Sequence, residues 1–336
     1  MKRLAGALLA VLFAGTNAWV QAEEVVLRVG HFPNITHAQG VVAHHMSRQG
    51  KGWFEERLGP GVKIEWFVYN AGPSAMEAIF AGALDITYVG PNPALNAHVR
   101  SKGEEVRVIA GAANGGAALV VREDGAIKKP EDFRGKKVAT PQFGNTQDVS
   151  CRAWLKRQGF KVTKTGGDVF VVPTANPDQL SLFQRGLLDG VWTVEPWVSR
   201  LEMNAKGKVF FEEKDSLTTV LACSARFLRE KPELARKFTR AHADLTAWIK
   251  KHPAEAQKMV TDELTALAKR EISLELVQRA WKRLDFTSEI SRESFEKFLA
   301  SAQEVGFLQE AGDLKRLVAV EEKEKESHES DREDLK

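Results

Sequence analysis

The chain has 336 residues, 43% of them hydrophobic, and a formal net charge of +3, an ordinary composition for a globular protein with room for two domains. Lys2 and Arg3, an apolar run over residues 4–14 and the small-residue site Val20-Gln21-Ala22 form the pattern of a cleavable signal over residues 1–22, too short in its apolar part to span a bilayer. Losing Lys2 and Arg3 takes two charges from the formal +3 and leaves the mature chain, from Glu23, at +1, which gives no electrostatic footprint for nucleic acid or an acidic membrane surface.

From Val25 onward, strand and helix patterns alternate. Residues 25–29 read as a strand, Asn34 opens a helix running to about Arg48, residues 62–68 are strand-like, 73–81 helical and 84–89 a strand. The order returns with strands at 137–140, 168–172 and 191–194 and helices at 145–158 and 177–185. Helices alternating with short β-branched runs predict parallel βαβ units. After Cys223 the chain turns helical. Pro232 and Pro253 each open a helix, the first with the stripe Leu234, Phe238, Ala241, Leu245 and Trp248, and a third helix carries Phe295, Phe298, Leu299, Ala302 and Val305 before Gly306. Residues 321–336 hold eight acids and four bases with almost nothing apolar, so a disordered charged tail is expected.

One segment occurs twice. Ser74 to Pro93 and Asp178 to Trp197 both read as a short helix, a Gly-x-Leu-Asp turn (Gly82 to Asp85, Gly186 to Asp189), an apolar strand and a break containing proline. The duplication predicts an α/β chain of two similar lobes with a ligand cleft between them. Residues 23–122 and 218–320 are assigned to lobe I and 123–217 to lobe II, with crossings near 121–124 and 217–222. Neither crossing is rich in Gly or Ser, which predicts strand-type hinges. Cys151 and Cys223 lie far apart in sequence. An oxidising compartment permits a disulfide, but Cys151 sits among core-type residues and buried free thiols are the favoured reading.

Ligands of open α/β sheets sit at the carboxyl ends of the strands. The candidate loops are therefore residues 30–37, 90–93, 114–117 and 140–147, rich in small and hydrogen-bonding residues and mostly leading into helix N-termini, where unpaired N–H groups suit an anion. Phe32, Asn34, Thr36, His37, Asn92, Gly116, Gly144, Asn145 and Thr146 are candidate lining residues, although Asn and Thr at these places also serve as helix caps. Trp192 and Phe143 are candidates to wall the cleft against an apolar part of the ligand. Glu195 reads as a general base, as a partner for a ligand ammonium or, by a slight preference, as a structural carboxylate on its loop. No GxGxxG or Walker context appears, His31, His37, His44 and His45 lack metal-ligand spacing with an acidic partner, and no nucleophile motif is present. No cofactor, metal or catalytic residue is expected.

Gly30-His-Phe-Pro-Asn-Ile-Thr-His-Ala38, Gly82-Ala-Leu-Asp-Ile-Thr-Tyr-Val-Gly-Pro-Asn-Pro93, Gly144-Asn-Thr-Gln-Asp148 with Arg152-Ala-Trp-Leu155, and Leu188-Asp-Gly-Val-Trp-Thr-Val-Glu-Pro-Trp197 give the chain a resemblance to the periplasmic solute-binding proteins of ABC importers for aliphatic sulfonates, taurine and nitrate. The resemblance runs from Val25 to about Leu308. It implies a two-lobed type II periplasmic-binding fold, hinge closure on a small anionic ligand, and delivery to an inner-membrane ABC permease by a monomeric periplasmic protein without nucleic-acid partners. It also implies the 32–36 loop, Asn92, Gly116, 144–146 and 192–195 as lining, with an aliphatic sulfonate or taurine as leading ligand. Nitrate or bicarbonate would need a smaller pocket, and a pyrimidine thiamine precursor is a further alternative. A related branch makes that precursor with pyridoxal phosphate, but a signal peptide argues against such intracellular chemistry. A sensor adaptor of the same fold would differ only in its partner.

Overall fold

The computed structural model describes residues 24–290, 292–310 and 312–319; the expected signal segment and charged tail lie outside them. The chain opens with β1 (Val25–His31), a 3-10 turn at Ile35–His37, α1 (Ala38–Arg48), α2 (Trp53–Leu58), β2 (Val62–Val68), α3 (Gly72–Phe80), β3 (Ile86–Val89) and α4 (Pro91–Arg100). β4 (Val106–Gly115) is followed by β5 (Ala117–Arg122), and then by β6 (Lys137–Thr140), α5 (Thr146–Arg157), β7 (Phe170–Pro173), α6 (Asn176–Gln184), β8 (Gly190–Val194), α7 (Trp197–Ala205) and β9 (Gly207–Glu213). β10 (Leu217–Ser224) leads to α8 (Ala225–Glu230), α9 (Pro232–Lys251), α10 (Pro253–Ala268), α11 (Leu274–Trp281), β11 (Leu284–Phe286), α12 (Arg292–Glu304) and α13 (Leu314–Leu317).

These strands form two sheets of like order. The first runs β2-β1-β3-β10-β4-β11 and the second β7-β6-β8-β5-β9. In each, three strands are parallel (Val29 opposite Ile86 in one, Val138 opposite Gly190 in the other), and the next two are antiparallel. Apolar side chains cover both faces of each sheet, giving two core clusters per lobe, as parallel strands with helices on both sides require. Cys223 lies in a core of the first lobe and Cys151 in a core of the second, both buried and free.

The strand order corrects one expectation. β4 ends in the first sheet at Gly115 and β5 starts in the second at Ala117, so the outward crossing is at Gly116 and not at 121–124. Residues 121–122 are instead paired with β8 and β9. The return lies at residues 214–216, between β9 and β10. The stripe of α9 also drifts from expectation. Phe238, Ala241 and Leu245 are buried, but Ala235, His242 and Ile249 join them while Leu234 and Trp248 are only half-buried, because the helix faces a sheet and α2 together.

The duplicated turn is the same device in both lobes. Gly82 and Gly186 adopt φ of 66° and 70°, a left-handed conformation that costs glycine little. The aspartate three residues on then clips the neighbouring strand. Asp85 N–H donates to Arg28 O at 3.0 Å while its Oδ2 accepts from Arg28 N–H at 2.9 Å. Asp189 repeats both bonds with Lys137, each at 2.9 Å.

Candidate functional site

Parallel strands point the same way, so the loops that follow them gather at one edge of the sheet, the carboxyl edge. Here the two such edges face each other. A cavity of about 20 Å³ between them is lined by residues that follow five of the six parallel strands: Phe32, Asn34, Thr36 and His37 after β1, Asn70 and Ala71 after β2, Gly90 after β3, Pro141, Asn145 and Gln147 after β6, and Asn176 after β7. β8 contributes its own last residue, Val194, and Thr218 and Thr219 of β10 close the hinge side. On this measure one water needs roughly 10–15 Å³, so the enclosed space suits a compact group of few heavy atoms.

Four helical segments begin at this cavity: Gly90 precedes α4, Asn145 caps α5, Asn176 starts α6, and Asn34 precedes the turn into α1. Their first-turn N–H groups have no helical acceptor, and together those of one α-helix amount to about half a positive charge. The side chains carry the same polarity. Asn34 Oδ1 accepts from the Trp197 indole N–H at 3.1 Å, and Asn145 Oδ1 accepts from the Asp148 backbone N–H at 2.9 Å. Since an indole or backbone N–H can only donate, the amide oxygens are the atoms engaged and the amide NH2 groups remain as donors. Asn176 Oδ1 is engaged by Thr193 Oγ1 at 3.1 Å, and Gln147 Oε1 by Asn145 Nδ2 at 3.2 Å.

His37 follows the same logic. Burial holds its ring well below the usual imidazole range, so it is neutral. Its Nδ1 accepts from Phe32 N–H at 3.3 Å, which places the proton on Nε2 as a further donor. Thr219 is buried with an Oγ1 that has no partner among the described residues. No lining residue carries a formal charge, so the site opposes a ligand anion with dipoles and N–H donors alone.

Of the residues expected to line the cleft, the structure brings together Phe32, Asn34, Thr36, His37 and Asn145. The others stand outside the lining, each for a physical reason. Thr146 Oγ1 accepts from Asn92 N–H at 3.3 Å and Asn92 Nδ2 donates to Phe298 O at 3.4 Å, so this pair joins α4 to α5. Gly116 is the crossing itself. Gly144 N–H is bound by Asp148 Oδ2 at 2.9 Å. Phe143 is 44% exposed and stands against Phe307, ring centroids 4.9 Å apart. Trp192 is in the core of the second lobe, its indole N–H held by Glu213 Oε2 at 3.2 Å.

Glu195 is a structural carboxylate. It is fully buried, and its oxygens accept from Ser199 N–H and Oγ at 3.1 and 2.9 Å and from Arg283 Nη1 at 3.1 Å. Burial pushes its carboxyl up, and the Ser199 and Arg283 contacts pull against that. Arg283 also reaches Glu202 at 3.0 Å and Glu212 at 3.5 Å, tying the segment before β11 to the second lobe. His31 is buried too, with Nδ1 at 3.0 Å from Phe32 O and Nε2 at 2.9 Å from His44 Nδ1. Sequence reasoning overlooked Asn70, Asn176, Thr218 and Thr219. The first two follow parallel strands and were open to the same rule; the two threonines lie within a strand and carry no local signal.

The sequence profile of the NMT1-like family matches residues 20–262. The taurine-binding periplasmic protein of Escherichia coli (strain K12) is 30% identical over 190 residues, 55% of this chain and 57% of that protein. A putative aliphatic sulfonates-binding protein of Bacillus subtilis (strain 168) is 24% identical over 219 residues, 63% of this chain and 64% of that protein. The chain thus spans about 60% of the length of these curated relatives. Among solved structures, the alkanesulfonate-binding protein SsuA from Xanthomonas axonopodis pv. citri bound to MOPS superposes with a TM-score of 0.73 at 18% identity, covering 89% of this chain and 99% of that one. The periplasmic nitrate-binding protein NrtA from Synechocystis PCC 6803 gives 0.73 at 14% identity, covering 88% and 86%. The two-lobed architecture is therefore that of the periplasmic binding proteins, and with the profile matching most of its length the chain belongs to the NMT1-like family.

Proposed function

We propose that this protein is the periplasmic substrate-binding component of an ABC importer, that it carries a small oxyanion in the interlobe cavity, and that the oxyanion is the head group of an aliphatic sulfonate or taurine. One observation carries the reading: around the cavity, the acceptor atoms of Asn34, Asn145 and His37 are each engaged by a protein N–H, so that donors face the ligand. Such a site favours a group with several acceptor oxygens and no proton to give. Helix starts supply the compensating field, and closure of two lobes removes competing water. The taurine- and sulfonate-binding names of the relatives support the ligand class. The protein acts as a monomer that captures one ligand without turning it over and hands it to a permease.

A thermal-shift and calorimetry panel on the chain from Glu23 tests this. The panel contains taurine, ethanesulfonate, nitrate, bicarbonate and, as an amine without the anion, ethanolamine. An organosulfonate at a hundredfold its dissociation constant is expected to stabilise the protein by about 2.7 kcal/mol. Asn145→Asp keeps an acceptor for the Asp148 N–H, and hence the cap of α5, but replaces donors with a negative charge. It also loses the bond to Gln147 Oε1, so folding is checked by the melting temperature, and the sulfonate is expected to weaken by about 1–3 kcal/mol. A panel in which ethanolamine binds and no sulfonate does would sink the assignment.

A further inference from the structure

A second cavity, of about 530 Å³, opens beside the hinge between α5 and α12. Its size falls in the range of small-molecule sites, roughly 300–1,000 Å³. One wall is the face of α5 bearing Ser150, Trp154 and Arg157, at spacings of four and three; the facing wall is Lys297 and Ser301 of α12, and the floor is the return crossing from Glu213 to Leu217. The cavity is thus built from both lobes and from one of the two strands that connect them. It is also separate from the interlobe cavity, since Leu217 lines this one while the next two residues, Thr218 and Thr219, line the other.

The chemistry of the walls is aromatic and basic. Trp154 stands 5.9 Å from Phe211 and 6.0 Å from the buried Trp192, centroid to centroid, and Phe211 is left 38% exposed. An exposed phenylalanine beside a half-buried indole is a platform for a flat ring. Three cations border it. Arg157 is oriented by Ser301 Oγ at 2.9 Å and Glu304 Oε2 at 3.0 Å, and Lys214 and Lys297 are exposed. Against them stand Asp215 and Glu213, and the Glu213 carboxylate already accepts from the Trp192 indole at 3.2 Å. We propose that this hinge cavity binds a flat aromatic anion, a carboxylate or sulfonate, with its ring on Trp154 and Phe211 and its charge among Arg157, Lys214 and Lys297. Because such a ligand touches α5 and α12 at once, its occupancy is tied to the relative placement of the lobes. The inference does not depend on which ligand fills the interlobe cavity.

Naphthoate is a suitable probe, read by calorimetry and by quenching of tryptophan fluorescence. Lys297→Glu, an exposed substitution that leaves the cores intact, and Trp154→Leu, checked for folding by its melting temperature, are each expected to weaken naphthoate by about tenfold. Asn145→Asp, which lies in the other cavity, is expected to leave naphthoate binding within about twofold of the parent. Three results would overturn the proposal: naphthoate that does not bind below about 1 mM, naphthoate indifferent to Lys297→Glu, or naphthoate lost with Asn145→Asp, which would put it in the interlobe cavity.

Discussion

The polar side chains that matter here are defined by what already holds them. Asn34 and Asn145 are ordinary helix-start residues until a protein N–H takes the amide oxygen, after which only donors are left to face the cavity. Asp85 and Asp189 show the same economy in the framework, since each ties the strand beside it with two backbone bonds. The two aspartates differ in surroundings: the Asp85 side chain is 11% exposed and also pairs with Arg28 at 2.8 Å, whereas the Asp189 side chain is 38% exposed. Alanine at either position is expected to lower the unfolding free energy by about 1–3 kcal/mol, with Asp85→Ala the costlier because solvent replaces less of what it loses. Urea unfolding of the two variants checks this, and a larger loss at Asp189 would contradict it. The Gly-x-Leu-Asp turn was legible in the sequence because its geometry is local. The role of Trp192 was not. Its strand is buried on both faces, so no alternation indicates which side a residue takes, and the indole turned to the core instead of the cleft.

At the scale of elements, α5 joins the two cavities. Its first turn supplies Asn145 and Gln147 to the interlobe site, and its later turns supply Ser150, Trp154 and Arg157 to the hinge cavity. The crossing at Gly115 and Gly116 is closely surrounded by main chain. Gly115 has φ of 73°, and a Cβ there would lie 2.5 Å from Arg283 O and 2.8 Å from Lys214 O, both main-chain atoms. Gly50 has nearly the same φ, 71°, with nothing within 4 Å. Gly50→Ala is therefore expected to cost only the conformational strain, about 1 kcal/mol. Gly115→Ala is expected to cost more than about 2 kcal/mol and to shift the spacing of the lobes, because backbone must move. Denaturant midpoints and small-angle scattering of the two variants make the comparison, and equal costs would show that the crossing is not constrained. Loops after parallel strands were readable from the alternation of elements, which is why residues 32–37 and Asn145 were found. The hinge position was not, because Asn114 to Ala117 read as a ligand loop and Ala117 to Arg122 beyond it continue the apolar pattern of β4 in the other sheet.

Across the whole molecule, burial of histidines couples stability to pH. Burial lowers His31 and His242 to about 4 and His44 to about 3, below the unfolded value of about 6.5. Each therefore takes a proton more readily when unfolded, so stability is lost as the pH falls below 6.5 and the loss continues toward 4. Glu195, Glu213 and Glu263 are pushed up by burial and act in the opposite sense just above the ordinary carboxyl range. His242, between Tyr88 Oη at 3.0 Å and Gly111 O at 2.8 Å, is expected to account for about 2 kcal/mol of the stability lost between pH 7 and pH 5. His242→Gln should lose that much less over the same interval in urea titrations, and a parallel fall in both proteins would refute the assignment. What the sequence by itself determined was the order of elements, the duplicated unit and hence two similar lobes, because periodicity, turn residues and helix starts are local properties of the chain. Only the tertiary structure decided which residues line the cavity and with which atoms. The partners that set those roles are distant in sequence, as with Trp197 on Asn34 or Arg283 on Glu195, and a hydrogen bond between distant residues exists only once the lobes have folded.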